Sequence, residues 1–176
     1  VFFLRKKLPK SNALTILKFL RKDFSEIFME ELVEKDQIIQ VLNRYAQACD
    51  QRQWALLNDV FMPNVLAQYG GFEFNGCAEI VSIIRNSLGG CGPSQHQLSN
   101  YMIEVKGDKA TSCCLVRASH AGGEGKEGLL YEVWGEYKDT LVKHQGQWRI
   151  SKRQMVIIHE IGTRNVLAPE PDVTHV

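Results

Sequence analysis

Four residues of the chain could together move protons: Asp50, His96, His120 and Arg153. The stretch LNRYAQACDQRQW, Leu42 to Trp54, reads as the end of an amphipathic helix. Its apolar face carries Ile38, Ile39, Leu42, Tyr45, Ala46 and Cys49, spaced in threes and fours. At about 100° per residue, Asp50 falls roughly 20° from Ile39 and about 40° from Ala46, on the apolar stripe. It also sits in the last turn, where the helix dipole disfavours negative charge. An acid placed against two local preferences needs a compensating partner. A buried carboxylate can hold an imidazole in one tautomer and stabilise its protonated form, which makes the histidine a general base near neutral pH.

Two histidines stand on strand faces that could meet that acid. His96 shares a face with Leu98, Asn100 and Met102, and His120 with Cys114, Val116 and Ala118. On the following strand Tyr131, Val133, Gly135 and Tyr137 share a face, and on the last one Arg153, Met155 and Ile157 do. Trp148 and Ile150 have the opposite parity, so an inward Arg153 requires a bulge near Ser151-Lys152. A buried guanidinium is costly unless a carboxylate or bound anion meets it, and Asp50 could be that carboxylate. Singly, each of these residues has an ordinary structural explanation as a hydrogen-bonded core group or a helix cap. Their convergence on one cavity is what would make a site.

The elements that must position them follow from periodicity. Residues 1–34 read as a helical extension, Asp36–Asp50 as a helix and Gln53–Phe61 as a second, short one that stops before Met62-Pro63. Val65–Tyr69 and Phe72–Phe74 are short strands. Asn75-Gly76 opens a third helix with Ile80, Ile83, Ile84 and Leu88 on one face, closed by GGCGP at Gly89–Pro93. The pattern then changes to period two: Gln95–Lys106 and Lys109–Ala121 form a hairpin, followed by Leu129–Lys143 and Trp148–Glu160. Helices first and a meander afterwards predict an α+β domain with helices on one sheet face. The segment from residue 163 is expected to be an extended C-terminal arm. Gly123–Gly128 matches G-x-G-x-x-G, but strands on both sides make it a hairpin loop rather than a dinucleotide fingerprint.

Composition bounds the function. The 176 residues, 44% hydrophobic, suffice for one domain with a sizeable core. No apolar run approaches the ~18 residues of a membrane span. The net charge of +1 gives no global case for nucleic acid. The charge is uneven: residues 1–22 hold seven Lys and Arg and no acid, leaving 14 basic against 20 acidic residues beyond. That acid-free start lacks the apolar run of a secretory signal and reads as a basic helical extension. The five cysteines show no zinc spacing, and there is no N-x-S/T sequon, so a reducing, cytoplasmic setting is expected.

The stretches RYAQACDQRQWALLNDVF, FNGCAEIVSIIR, QHQLSNYMIEVKGDKA and YKDTLVKHQGQWRISKR resemble the SnoaL-like branch of the nuclear transport factor 2-like superfamily. Members include scytalone dehydratase, bile-acid 7α-dehydratase and hexachlorocyclohexane dehydrochlorinase. The resemblance covers about Asp36 to Gly162 and implies a curved antiparallel sheet wrapped with N-terminal helices into a cone around a pocket. It implies an Asp–His pair at Asp50 and His96, an acid or electrophile at Tyr45, a second pocket histidine at His120 and the dehydrochlorinase's arginine at Arg153. Cys49, Gly135 and Tyr137 depart from the scytalone enzyme's pattern.

The function expected is a lyase or isomerase that needs no cofactor and no metal. In it His96 removes a proton, Asp50 orients it, Tyr45 or His120 protonates a departing hydroxyl, and Arg153 steadies negative charge. Trp54, Met102, Val116, Val133 and Tyr137 are expected as walls suited to a small, largely apolar, ring-bearing substrate. A homo-oligomer, trimer or dimer, is expected on the outer sheet face, where Leu115, Trp134 and Val142 lie. Two alternatives stay open. One is a non-catalytic binding or assembly module, such as the small subunit of a dioxygenase. The other is a metal site built from Asp50, His96 and His120.

Overall fold

The structure, a computed structural model, describes residues 13–170, with side chains from Ser25 onward. Helix α1, Ala13–Asp50, is continuous, so residues 13–34 of the expected extension and the expected Asp36–Asp50 helix are one element. Arg5, Lys6, Lys7 and Lys10 lie outside the described residues, as do the side chains of Lys18, Arg21 and Lys22. The second half of α1 buries Ile38, Val41, Leu42, Tyr45, Ala46, Ala48 and Cys49. Truncating a fully buried leucine such as Leu42 to alanine would cost roughly 2–5 kcal/mol. Farther toward the N-terminus the helix leaves Ile27, Phe28, Met29, Leu32 and Val33 exposed. Glu34 fastens it to the sheet, accepting from Lys143 Nζ and Trp148 Nε1, each at 2.6 Å.

The expected second helix resolves into a 3-10 turn, Trp54–Leu56, and one turn of α2, Leu57–Val60. Strands β1, Phe61–Tyr69, and β2, Phe72–Asn75, lead to α3, Cys77–Leu88. Four long strands complete the sheet: β3, Ser94–Lys106; β4, Lys109–Ala121; β5, Leu130–His144; β6, Gln147–Gly162. The order is β2-β1-β6-β5-β4-β3. The sheet is mixed rather than purely antiparallel, because β1 runs parallel to β6. G-x-G-x-x-G falls in the β4–β5 loop, as the flanking strands required.

Three irregularities reset which side chains face inward. An extra residue in β3 between Ser99 and Met102, with Asn100 at φ 54°, reverses the alternation beyond it. Ser151 is the extra residue where Thr140 pairs with Lys152 but Leu141 with Ile150. Ile158 is the third, since Gly135 pairs with Ile157 and Trp134 with His159. Each bends its strand and adds local twist. The inner face, with Cys114, Val116, Ala118, Val133, Tyr137, Trp148 and Ile150, packs against α1 and α3 as one core.

The outer face is only partly apolar. Leu115 and Trp134 are exposed there and Val142 is half-buried. Trp134 is fixed in place: its Nε1 donates to Glu132 at 2.6 Å, and the Arg117 guanidinium lies over its ring. Arg117, followed by Trp134 and Ser119, holds the Glu132 carboxyl down to about 2. A groove of ≈ 890 Å³ crosses this face, past Glu73, Met102, Cys113, Lys138 and Lys152. Asp139 and Arg153 are among its lining residues, whereas Asp50, His96 and His120 are not.

Candidate active site

Asp50 is the last residue of α1, and both of its carboxylate oxygens are turned to one residue of β3. Oδ1 lies 2.6 Å from His96 Nδ1, and Oδ2 accepts the His96 backbone N–H at 2.9 Å. The acid therefore fixes the strand position and the ring together. Arg52, at φ 57°, turns the chain out of the helix and ties its end to the start of β3. Its Nη1 donates to the Cys49 carbonyl, and Nη2 to the Gly92 carbonyl at 2.9 Å and Ser94 Oγ at 2.8 Å. With Nδ1 committed to Asp50, Nε2 is the His96 nitrogen left for a ligand.

His96 opens on a cavity of ≈ 270 Å³ between the sheet, α3 and the C-terminal arm. That volume is near the lower end of the ~300–1,000 Å³ usual for small-molecule sites. Phe72, Phe74, Ile83, Ile84, Met155 and Ile157 make most of its wall apolar. Tyr45, His120, Val133 and Tyr137 also line it. The His120 ring lies 5.2 Å from that of His96, and burial, followed by the charge of His96, lowers it to about 4. His120 is thus uncharged at neutral pH, and among the described residues its buried Nδ1 has no hydrogen-bond partner.

The other expected wall residues are elsewhere. Met102 is turned to the outer face by the irregularity at Asn100 and is exposed. Val116 is buried in the core beside Gly135 rather than at the cavity. Trp54 packs outside it, with its indole N–H given to Glu170 at 2.7 Å. The alternative metal set of Asp50, His96 and His120 does not converge: both Asp50 oxygens face His96, and among the described residues no group of three His, Cys, Asp or Glu side chains is placed to hold an ion.

Arg153 points inward, with the bulge at Ser151 where parity required it. Its carboxylate, however, is Asp139 and not Asp50: Nε meets Oδ1 at 2.8 Å and Nη2 meets Oδ2 at 2.7 Å. The guanidinium lies 4.2 Å from the ring centroids of both Tyr45 and Tyr137, behind the cavity wall they form. Burial raises the phenols of Tyr45, Tyr69 and Tyr137, so all three are uncharged. The Tyr69 hydroxyl donates to that of Tyr45 at 3.4 Å. Asp139 continues the inward series Tyr131, Val133, Gly135, Tyr137, so the alternation already marked it. The arm adds Arg164 and Leu167 to the cavity. It is clasped by Glu170, which accepts from Trp54 and from Arg85 Nε at 2.7 Å.

A family model described as a SnoaL-like domain matches residues 30–154. An uncharacterized protein of Mycobacterium tuberculosis (strain H37Rv) is 30% identical over 136 residues, spanning 74% of this chain and 90% of the relative. A Mycobacterium bovis protein, also uncharacterized, matches equally well. Among solved structures, a Kribbella flavida protein is similar with TM-score 0.69 at 20% identity, over 77% of this chain and 97% of that one. A candidate scytalone dehydratase from Novosphingobium aromaticivorans gives TM-score 0.68 at 22% identity, over 83% and 97%. A type 2 hexachlorocyclohexane dehydrochlorinase gives TM-score 0.68 at 16% identity, over 84% and 99%. At these identities the structures share the chain's fold, the curved α+β cone.

Proposed function

The chain belongs to the SnoaL-like domain family, and from that premise we propose that it is a lyase or isomerase of the dehydratase type, working without a cofactor. The observation that carries this reading is the double hold of Asp50 on His96, at the ring and at the main chain, beside an apolar cavity. His96 Nε2 takes a proton from a carbon next to an activating or leaving group. Asp50 balances the imidazolium that forms. As the carbon–oxygen bond breaks, Tyr45 or uncharged His120 gives a proton to the departing hydroxyl and recovers one from His96. Water leaves and a double bond remains. Arg153 is held by Asp139 and acts through the tyrosine rings it supports, not on the ligand.

The cavity's size and apolar walls fit a small ring-bearing substrate. The dehydratase and dehydrochlorinase names among the structural neighbours agree with elimination chemistry. A homo-oligomer, dimer or trimer, closing on the outer sheet face around Leu115 and Trp134, completes the proposal, with a cytoplasmic setting. Among the described residues no helix is long and apolar enough to cross a membrane.

The test is an elimination assay on a panel of hydroxylated and halogenated cyclic compounds, run in deuterium oxide and read by mass spectrometry. Loss of water or halide, or solvent deuterium at the acidic carbon, is expected with the native protein and is lost in His96→Ala. Exchange or elimination that persists in His96→Ala at the native rate would overturn the dyad.

A further inference from the structure

The bulge at Ile158 does more than bend β6. The alternation of Arg153, Met155 and Ile157 would send residue 160 to the outer face, but the extra residue reverses it. Glu160 therefore pairs with Val133 and reaches the cavity side of the sheet. There it accepts the hydroxyl of Tyr131 and a two-pronged contact from Arg164, Nε at 2.7 Å and Nη2 at 2.8 Å. Tyr131 and Arg164 both line the cavity, and the Tyr131 ring stacks on His120, centroids 6.0 Å apart. A polar strip thus runs from His96 through His120 and Tyr131 to the C-terminal arm, along a wall that is mostly apolar.

The hydrogen bonds fix the polarity of that strip. The only proton of the Tyr131 hydroxyl is committed to Glu160. Arg164, and after it Tyr131, hold the Glu160 carboxyl below its ordinary range, so it stays ionised and keeps accepting. Arg164 also reaches the Tyr131 oxygen as a donor, and what that oxygen has left is one further lone pair. Glu160 and Arg164 neutralise one another, so this end of the cavity has no net charge to attract an anion. A ligand group placed against Tyr131 must therefore bring a proton.

We infer that Tyr131 is a specificity-determining acceptor for a hydroxyl group of the ligand, with Glu160 and Arg164 as the positioning residues that fix its polarity. The substrate class narrows to rings carrying a free hydroxyl away from the carbon that faces His96. The inference rests on the cavity being the substrate site, as proposed above, but does not depend on proton abstraction by His96.

The experiment compares binding of para-fluorophenol and para-fluoroanisole to the full chain by fluorine NMR. The two share a ring and differ in whether the oxygen can donate. The native protein is expected to favour the phenol by at least about fivefold, the value of one net hydrogen bond. Tyr131→Phe, which keeps the ring on His120, should abolish the preference. Glu160→Ala frees the Tyr131 proton and should shift the preference toward the ether, a change that mere loosening of the fold would not produce. Both variants are checked by thermal melting. Equal binding of the two probes to the native protein, no binding of either, or a preference that survives Tyr131→Phe overturns the inference. If instead His96→Ala alone removes the preference, the hydroxyl belongs to the dyad, and this inference fails while the proposed function stands.

Discussion

Asp139 and Arg153 meet across β5 and β6 through two parallel hydrogen bonds, and neither side chain reaches solvent. Such a pair is weak evidence for net stability, but removing one partner strands a buried charge, typically at a cost of about 3–5 kcal/mol. Asp139→Ala and Arg153→Met are each expected to lose an amount of that order in urea unfolding. The double variant Arg153→Met, Asp139→Leu should recover most of it. Full additivity of the two single losses would show that they do not act as a pair.

Asp50 can hold His96 through Nδ1–H only while the imidazole keeps its proton on that nitrogen. Nitrogen-15 spectra of the imidazole near neutral pH should therefore show Nδ1 protonated and Nε2 bare in the neutral ring. In Asp50→Ala the preference should disappear, with a loss of roughly 1.5–3 kcal/mol from the hydrogen bonds to a charged group. His96→Ala, by contrast, should keep the fold.

His120 links stability to acid. Its value of about 4 in the folded chain lies below the ordinary histidine value of about 6.5, because burial disfavours the charged ring. Between those values the unfolded chain binds the proton and the native one does not, so stability falls as pH drops through that window. The full penalty, up to about 3 kcal/mol, is in force only below the folded value. Chemical unfolding at a series of pH values should show this slope in the native protein and a flatter profile in His120→Phe.

The outer face should hold copies of the chain together. Trp134 is kept upright by Glu132 and Arg117, so it is ordered before any partner arrives. Trp134→Glu combined with Leu115→Glu is expected to reduce the mass measured by light scattering to that of a monomer. A native protein that is monomeric at high concentration would remove this part of the proposal.

The sequence located Asp50, because an acid on an apolar stripe is visible from spacing alone, and the parity of β6 required the bulge that turns Arg153 inward. Asp139 was equally legible, two residues beyond Tyr137 on the same face. Met102 and Glu160 were not, because each follows an extra residue that reverses the alternation, and nothing local marks Asn100 or Ile158 as that residue. Val116 shows a different limit: it faces inward but not the cavity, because depth in the core depends on neighbours from other strands. The place of Trp54 depends on Glu170, 116 residues away, which no periodicity reports.

The C-terminal arm rests on bare backbone. A β-carbon at Gly90 would lie 2.2 Å from the Pro169 carbonyl oxygen, and one at Gly123 would lie 2.1 Å from that of Gly90. The arm's own side chains, Arg164 and Leu167, nonetheless form part of the cavity wall, while Asp50 and His96 belong to α1 and β3. Cavity shape and proton chemistry are thus carried by separately replaceable parts. An arm transplanted from a relative, with the glycine track left intact, would exchange ligand preference between scaffolds while the dyad beneath it stayed the same.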